Sequence, residues 1–219
     1  MTLLTRRSFT AGAAALATVP ATPALASTAS RSFQVTIDGN KVGTHDVSVE
    51  RGPNGITARS VINIAPKIAF VTVYRYELSV TEVYDAEGFL VSINGTCNDD
   101  GDPHFVNVQR QGETLMVNGS SHQGAMPLST GASSHWNKAL LGRTPWISTQ
   151  SGEILSVTAS EISSAEAPAG ASAYRVSNGA DVTIDMFYDS RGEWVGSAFD
   201  AESRRLKIEY LSETGALKA

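Results

Sequence analysis

The sequence predicts an all-β protein: an antiparallel meander forming a closed or nearly closed barrel of about ten strands, with one short helix or loop as a plug. Three observations carry this reading. From Ser32 onward apolar residues recur with period two, the alternating segments are divided by Gly, Asp, Asn and Pro clusters at hairpin spacing, and most segments have one apolar face. Connections this short favour antiparallel neighbours, and one-sided segments favour a sheet curved around its own core. A two-sheet sandwich fits the same pattern and is the competing architecture. The chain has 219 residues, 42% hydrophobic and 18% charged, which suits one domain with an ordinary core.

The first 26 residues have the form of an export signal, with Arg6 and Arg7 at the charged start, an uncharged run over 9–19, and the small-residue triplet Ala24, Leu25, Ala26 ahead of Ser27. Thr5, Arg6, Arg7, Ser8 and Phe9 resemble the twin-arginine class of signals, although Thr10 and Ala11 stand where that pattern usually has Leu and Lys. Pro20 and Pro23 break the apolar run, which is too short to span a bilayer. Cleavage after Ala26 and a periplasmic or secreted address are expected. The domain plan is then a signal at 1–26, a short flexible lead at 27–31, one β domain at 32–213 and a tail at 214–219.

Val35 and Ile37 precede the tight-turn signal Asp38-Gly39-Asn40, and 42–50 returns as the second strand. The break at 51–55 leads into a strand over 56–64, which Pro66 ends. Next comes the longest expected strand, 70–84, with Phe70, Tyr74, Tyr76, Leu78, Val80 and Tyr84 on one parity. Turns at 85–88 and 98–102 then separate strands around Val91, Val106 and Val117. Asn94-Gly95-Thr96 and Asn118-Gly119-Ser120 fit the glycosylation sequon and are read as turn residues. Between 120 and 152 the period lapses; 134–141 reads as a short helix capped by Ser134, within a loop laid across the sheet. Period two returns over 154–162, 172–177, 182–188, 194–199 and 206–211, with 165–171 as a hairpin loop.

Several of these segments together resemble a bacterial exported family known as domain of unknown function 6134. They are the strand from Ile68 ending Val73-Tyr74-Arg75-Tyr76, the 98–102 turn, Ser134-His135-Trp136-Asn137, Thr149-Gln150-Ser151-Gly152, and Met186-Phe187-Tyr188-Asp189 followed by Gly192-Glu193-Trp194. The resemblance covers nearly all of the mature chain. It implies an exported β fold and no activity, substrate or cofactor. Cys97 departs from it, standing where a small polar residue is expected.

Charge excludes one class of partner. Without Arg6 and Arg7 the basic residues fall from 17 to 15 against 22 acidic, a net of −7, so a nucleic-acid surface is not expected. Arg204, Arg205 and Lys207 are the densest basic spot and read as a solvated face. Cys97 is the sole cysteine and can form no internal disulfide. His45 shares parity with Val47 and Val49, and His104 with Val106 and Val108; together with Cys97 they would suit zinc or copper if they met. No metal-ligand spacing supports that meeting, so neither metal nor cofactor is predicted. The run 99–102 lacks the spacing and terminal glutamate of a calcium loop, and Asp181, Asp185 and Asp189 have no fixed separation suited to paired-carboxylate catalysis.

The segment expected to carry function is His135-Trp136-Asn137, because it lies where strand periodicity fails. His135 can act as acid or base, Asn137 can orient a carbonyl, and Trp136 can pack on an apolar substrate. The alternative is that Trp136, Leu140, Leu141 and Trp146 plug the barrel end. Tyr74, Tyr76, Trp136, Trp146 and Gln150 are the candidate ligand-binding residues. Three functions follow: binding of a small apolar or amphipathic molecule or lipid; cofactor-free isomerase, lyase or hydrolase chemistry at His135; or a role in envelope assembly through strand pairing.

Overall fold

The structure, a computed structural model, describes residues 27–68, 71–179, 183–201 and 204–214. The expected signal at 1–26, Phe70, Asp181 and the tail beyond Thr214 lie outside the described residues. In chain order the strands are β1 (Ser27–Ile37), β2 (Asn40–Gly52), β3 (Gly55–Ile64), β4 (Lys67–Ile68), β5 (Val71–Thr72), β6 (Tyr76–Tyr84), β7 (Leu90–Asp99), β8 (Asp102–Gln111) and β9 (Thr114–Gly119). They continue with β10 (Gln123–Pro127), β11 (Gly131–Ala132), β12 (Trp146–Ile147), β13 (Ile154–Leu155), β14 (Thr158–Ile162), β15 (Ser172–Ser177), β16 (Thr183–Tyr188), β17 (Trp194–Ala201) and β18 (Arg204–Thr214).

Thirteen of these strands form one sheet, in the order β10-β9-β8-β7-β6-β3-β2-β1-β18-β17-β16-β15-β14. Every neighbouring pair is antiparallel. Tight turns set the registers: Asp38 (φ 49°) and Gly39 (φ 80°) both take positive φ, as do Asp100 (φ 52°) and Gly101 (φ 97°), which matches the right-handed twist of the strands they join. The first and last described strands pair along 30–37 with 206–214, in the middle of the sheet.

The sheet is antiparallel as expected, but the closed or nearly closed barrel of about ten strands is not what forms. The edges of the sheet, β10 and β14, do not pair with each other, and the sheet has more strands than the sequence suggested. The reason lies in the connection between those edges. Residues 128–157 fold inward as a plug containing the small sheet β11-β12-β13, so no tight hairpin draws β10 and β14 together. One apolar core joins both wings of the sheet to this plug: Leu78, Val80, Ile93 and Val106 from one side, Val176, Met186 and Trp194 from the other, and Leu140, Trp146 and Ile147 between them.

Two close approaches seat the plug. A Cβ on Gly119 would stand 2.4 Å from the Ser151 carbonyl oxygen, and one on Gly95 would stand 2.8 Å from that of Thr149. Both glycines lie in strands, β7 and β9, not in the turns expected of Asn94-Gly95-Thr96 and Asn118-Gly119-Ser120. Their missing side chains let plug backbone lie against the sheet.

Further corrections are local. The single strand expected over 70–84 is interrupted, and its regular part begins at Tyr76. The strand expected over 154–162 is split between β13, in the plug, and β14, at the sheet edge. Residues 27–31 are not a flexible lead, since β1 begins at Ser27, paired with Arg51. The helix is a 3-10 turn over Lys138–Gly142, and its cap is Asn137 rather than Ser134.

Candidate functional site

Between the inner face of the sheet and the plug lies a cavity of about 590 Å³, within the range of small-molecule sites. Strand alternation explains its wall. In β6 the inward parity runs Tyr76, Leu78, Val80, Glu82, and in β2 it includes His45, whose register partner in β3 is Ile62, itself opposite Leu78. The other wing supplies Val176, Ile184, Met186 and Phe199, and the plug supplies Ser134, His135, Trp146 and Gln150.

Glu82 and His45, 2% and 4% exposed, are buried on the cavity wall. Glu153 also lines the cavity and is exposed, which places the mouth on the plug side. Near the mouth, Tyr76 donates its hydroxyl to Oε1 of Gln150 at 3.2 Å, and Gln150 donates Nε2 to Asp99 at 3.4 Å.

Three titratable groups of the wall, His45, His135 and Glu82, are shifted by burial. Burial lowers His45 to about 3, with a contribution from His135, and burial lowers His135 to about 4. His135 is partly exposed where it faces the cavity. Both imidazoles flank the Trp194 indole, with ring centroids 4.9 Å away for His45 and 5.5 Å for His135. Burial pushes the Glu82 carboxyl up, while hydroxyl donors from Ser134 and Tyr84 oppose that shift. The two ring nitrogens of His45 have no hydrogen-bond partner, nor has the Trp146 indole nitrogen.

The structure thus brings His135, Tyr76, Trp146 and Gln150 to one cavity and leaves three of the expected site residues away from it. Asn137 accepts the Ala139 N–H at 2.9 Å as a cap. Trp136 is buried beside Tyr84 and under the guanidinium of Arg51, with centroid distances of 5.6 and 5.5 Å. Tyr74 donates to Asp99 at 2.5 Å. Sequence reasoning missed Glu82, although its position on the apolar parity between Val80 and Tyr84 was a visible sign. It placed His45 on the inner face and did not connect it with His135.

The other candidates resolve into structural pairs. Cys97 and His104 are cross-strand partners, but His45 is on a distant strand, and no group of three His, Cys, Asp or Glu suited to a metal occurs among the described residues. Burial raises the Cys97 thiol, with a Tyr76 hydrogen bond opposing. Asp185 holds Arg175 through two bonds of 2.8 and 2.9 Å. Arg204 pairs with Asp38, and Arg205 and Lys207 pair with Glu166, so the basic spot is neutralised. No described helix is long and apolar enough to cross a membrane.

No curated protein matches the chain. Among solved structures it is similar to a beta-barrel-like protein of domain of unknown function DUF1849 from Brucella abortus, at a TM-score of 0.59 and 8% identity, covering 87% of this chain and 98% of that one. At that identity the likeness is one of fold. Residues 33–211 match the family described as Domain of unknown function (DUF6134). That match spans nearly all of the β sheet from β1 to β18 and includes every residue of the cavity wall named above, and the chain therefore belongs to the DUF6134 family.

Proposed function

We propose that the protein is an exported binding protein that holds a small amphipathic molecule between sheet and plug. The observation that carries the reading is the cavity of about 590 Å³, whose wall divides between apolar side chains such as Ile62, Leu78, Val176, Ile184 and Met186 and polar ones such as His45, Glu82, His135 and Gln150. Amphipathic ligands match such a division because their hydrocarbon part removes apolar surface from water and their polar part satisfies buried donors and acceptors. The signal-like 1–26 segment supports delivery to the periplasm or beyond.

Binding is favoured over acid-base chemistry at His135. A histidine held near 4 is a weak base at neutral pH, and the Asn137 amide oxygen is already engaged as a helix cap. The test is fluorescence titration of the mature protein with N-phenyl-1-naphthylamine, a probe that brightens in apolar surroundings. Saturable enhancement is expected for the native chain, and its loss in Ile184→Trp, which fills the cavity from the β16 wall, with the far-ultraviolet spectrum retained. Equal enhancement in both proteins would place the probe elsewhere and overturn the reading.

A further inference from the structure

The cavity wall carries chemistry that selects among amphipathic ligands. His45 is 4% exposed and lines the cavity, yet both of its ring nitrogens lack a hydrogen-bond partner. Buried polar atoms are ordinarily paired, so two orphans on a residue that lines the cavity point to a group that arrives from outside. His135 reaches the same region from the plug, and the two imidazoles share the Trp194 indole as a neighbour. The tie from Ser134 to Glu82 fixes the backbone that carries His135, because Ser134 is the preceding residue.

What the wall omits argues against an anionic polar group on the ligand. None of the described residues lining the cavity is a lysine or arginine, while Glu82 and Glu153 both are carboxylic acids on it. A carboxylate or phosphate would enter without a cation to meet it and against those acids. A neutral imidazole offers one N–H donor and one lone pair. A hydroxyl is likewise both donor and acceptor and can engage either nitrogen of either ring.

Resting on the binding reading above, we propose that His45 and His135 form a hydroxyl-recognition site in the cavity wall, which takes the hydroxyl of an amphipathic alcohol whose hydrocarbon part lies along Ile62, Leu78, Val176, Ile184 and Met186. The burial that keeps both rings neutral at pH 7 supports the same choice, since an anion would gain no charge-assisted bond from them. Glu82 is a positioning residue for Ser134 and does not itself select the ligand.

The test uses three ten-carbon probes, 1-decanol, decanoate and decylamine, each titrated against bound N-phenyl-1-naphthylamine at pH 7 in the native chain, His45→Phe and His45→Gln. Phe keeps the ring packing against Phe33 and Trp194 and removes the nitrogens, so the fold is expected to persist. In the native chain 1-decanol is expected to bind about tenfold or more tightly than either charged probe, on the scale of one hydrogen bond to a buried group. That preference is expected to vanish in His45→Phe, with fluorescent-probe affinity kept, and to return in part in His45→Gln. Equal affinity for the three probes, a preference for a charged one, or an unchanged preference in His45→Phe would overturn the hydroxyl site and leave cavity binding standing. Failure of the native chain to bind the fluorescent probe and all three competitors would overturn both readings.

Discussion

Ser134 donates its hydroxyl to the buried carboxyl of Glu82, a contact across 52 positions that ties the plug to β6. Tyr84 donates to the other oxygen of the same carboxyl. Removing the acid strands two buried hydroxyls. Glu82→Leu is expected to lower stability by about 1–3 kcal/mol, measured by urea unfolding. Glu82→Gln can accept one hydroxyl and donate to the other, and is expected to lose far less.

The histidines make stability depend on acid. His45 sits at about 3 and His135 at about 4 in the folded chain, against an ordinary value of 6.5, so between these values the unfolded chain binds more protons. Their contribution is complete above pH 6.5 and is lost as pH falls toward 3–4. The loss is on the order of 3–5 kcal/mol for each ring taken alone. Glu82 acts oppositely: its raised folded value favours the folded state at low pH, and that contribution fades as pH rises through the carboxyl's titration. Unfolding midpoints in urea from pH 7 to 4 should therefore fall steeply, and His45→Phe should flatten the slope while raising the midpoint, because it removes two unpartnered buried nitrogens.

A buried ion cluster holds β1 to β18. Arg31, in β1, donates to the Trp194 carbonyl at 2.7 Å, to Asp189 at 3.1 Å and to Glu213 at 3.3 Å. Its side chain is only 7% exposed. Arg31→Ala leaves Asp189 and Glu213 with Arg191 as their remaining partner and the Trp194 carbonyl without this donor, and is expected to cost about 1–3 kcal/mol, with β1 and β18 losing hydrogen-exchange protection together.

Backbone contact at the plug gives a separate test. Gly119→Ala brings a Cβ against the Ser151 carbonyl at 2.4 Å and the Gly152 Cα at 2.9 Å, both backbone atoms that cannot rotate away. The expected cost is about 1–3 kcal/mol, with faster amide exchange at 148–152. Gly112→Ala, where a Cβ meets nothing within 4 Å but φ is +61°, reports the cost of backbone conformation alone.

How much of this was legible depended on range. Strands and turns are local, so period two and the Asp38-Gly39 and Asp100-Gly101 pairs located most of the hairpins, and β15 falls on the residues expected of it. Closure of the sheet and the cavity are set by pairings between distant segments, which periodicity does not encode. His45 and His135 meet around Trp194 only because β1 pairs with β18 and the plug folds inward. Trp136 and Asn137 read as functional from their loop and proved to serve packing and capping, as aromatic and amide groups in a buried loop commonly do.

The central claim is that the cavity receives an amphipathic ligand, and its most direct measurement is a nuclear magnetic resonance titration of the mature protein with 1-decanol. Trp146, whose indole N–H is unpartnered, and Met186 of β16 both line the cavity. Saturable shifts at both are predicted, with His45 ring protons following them. Absence of saturable shifts there, or shifts confined to outward residues such as Val71, Phe105 and Met116, would contradict the account.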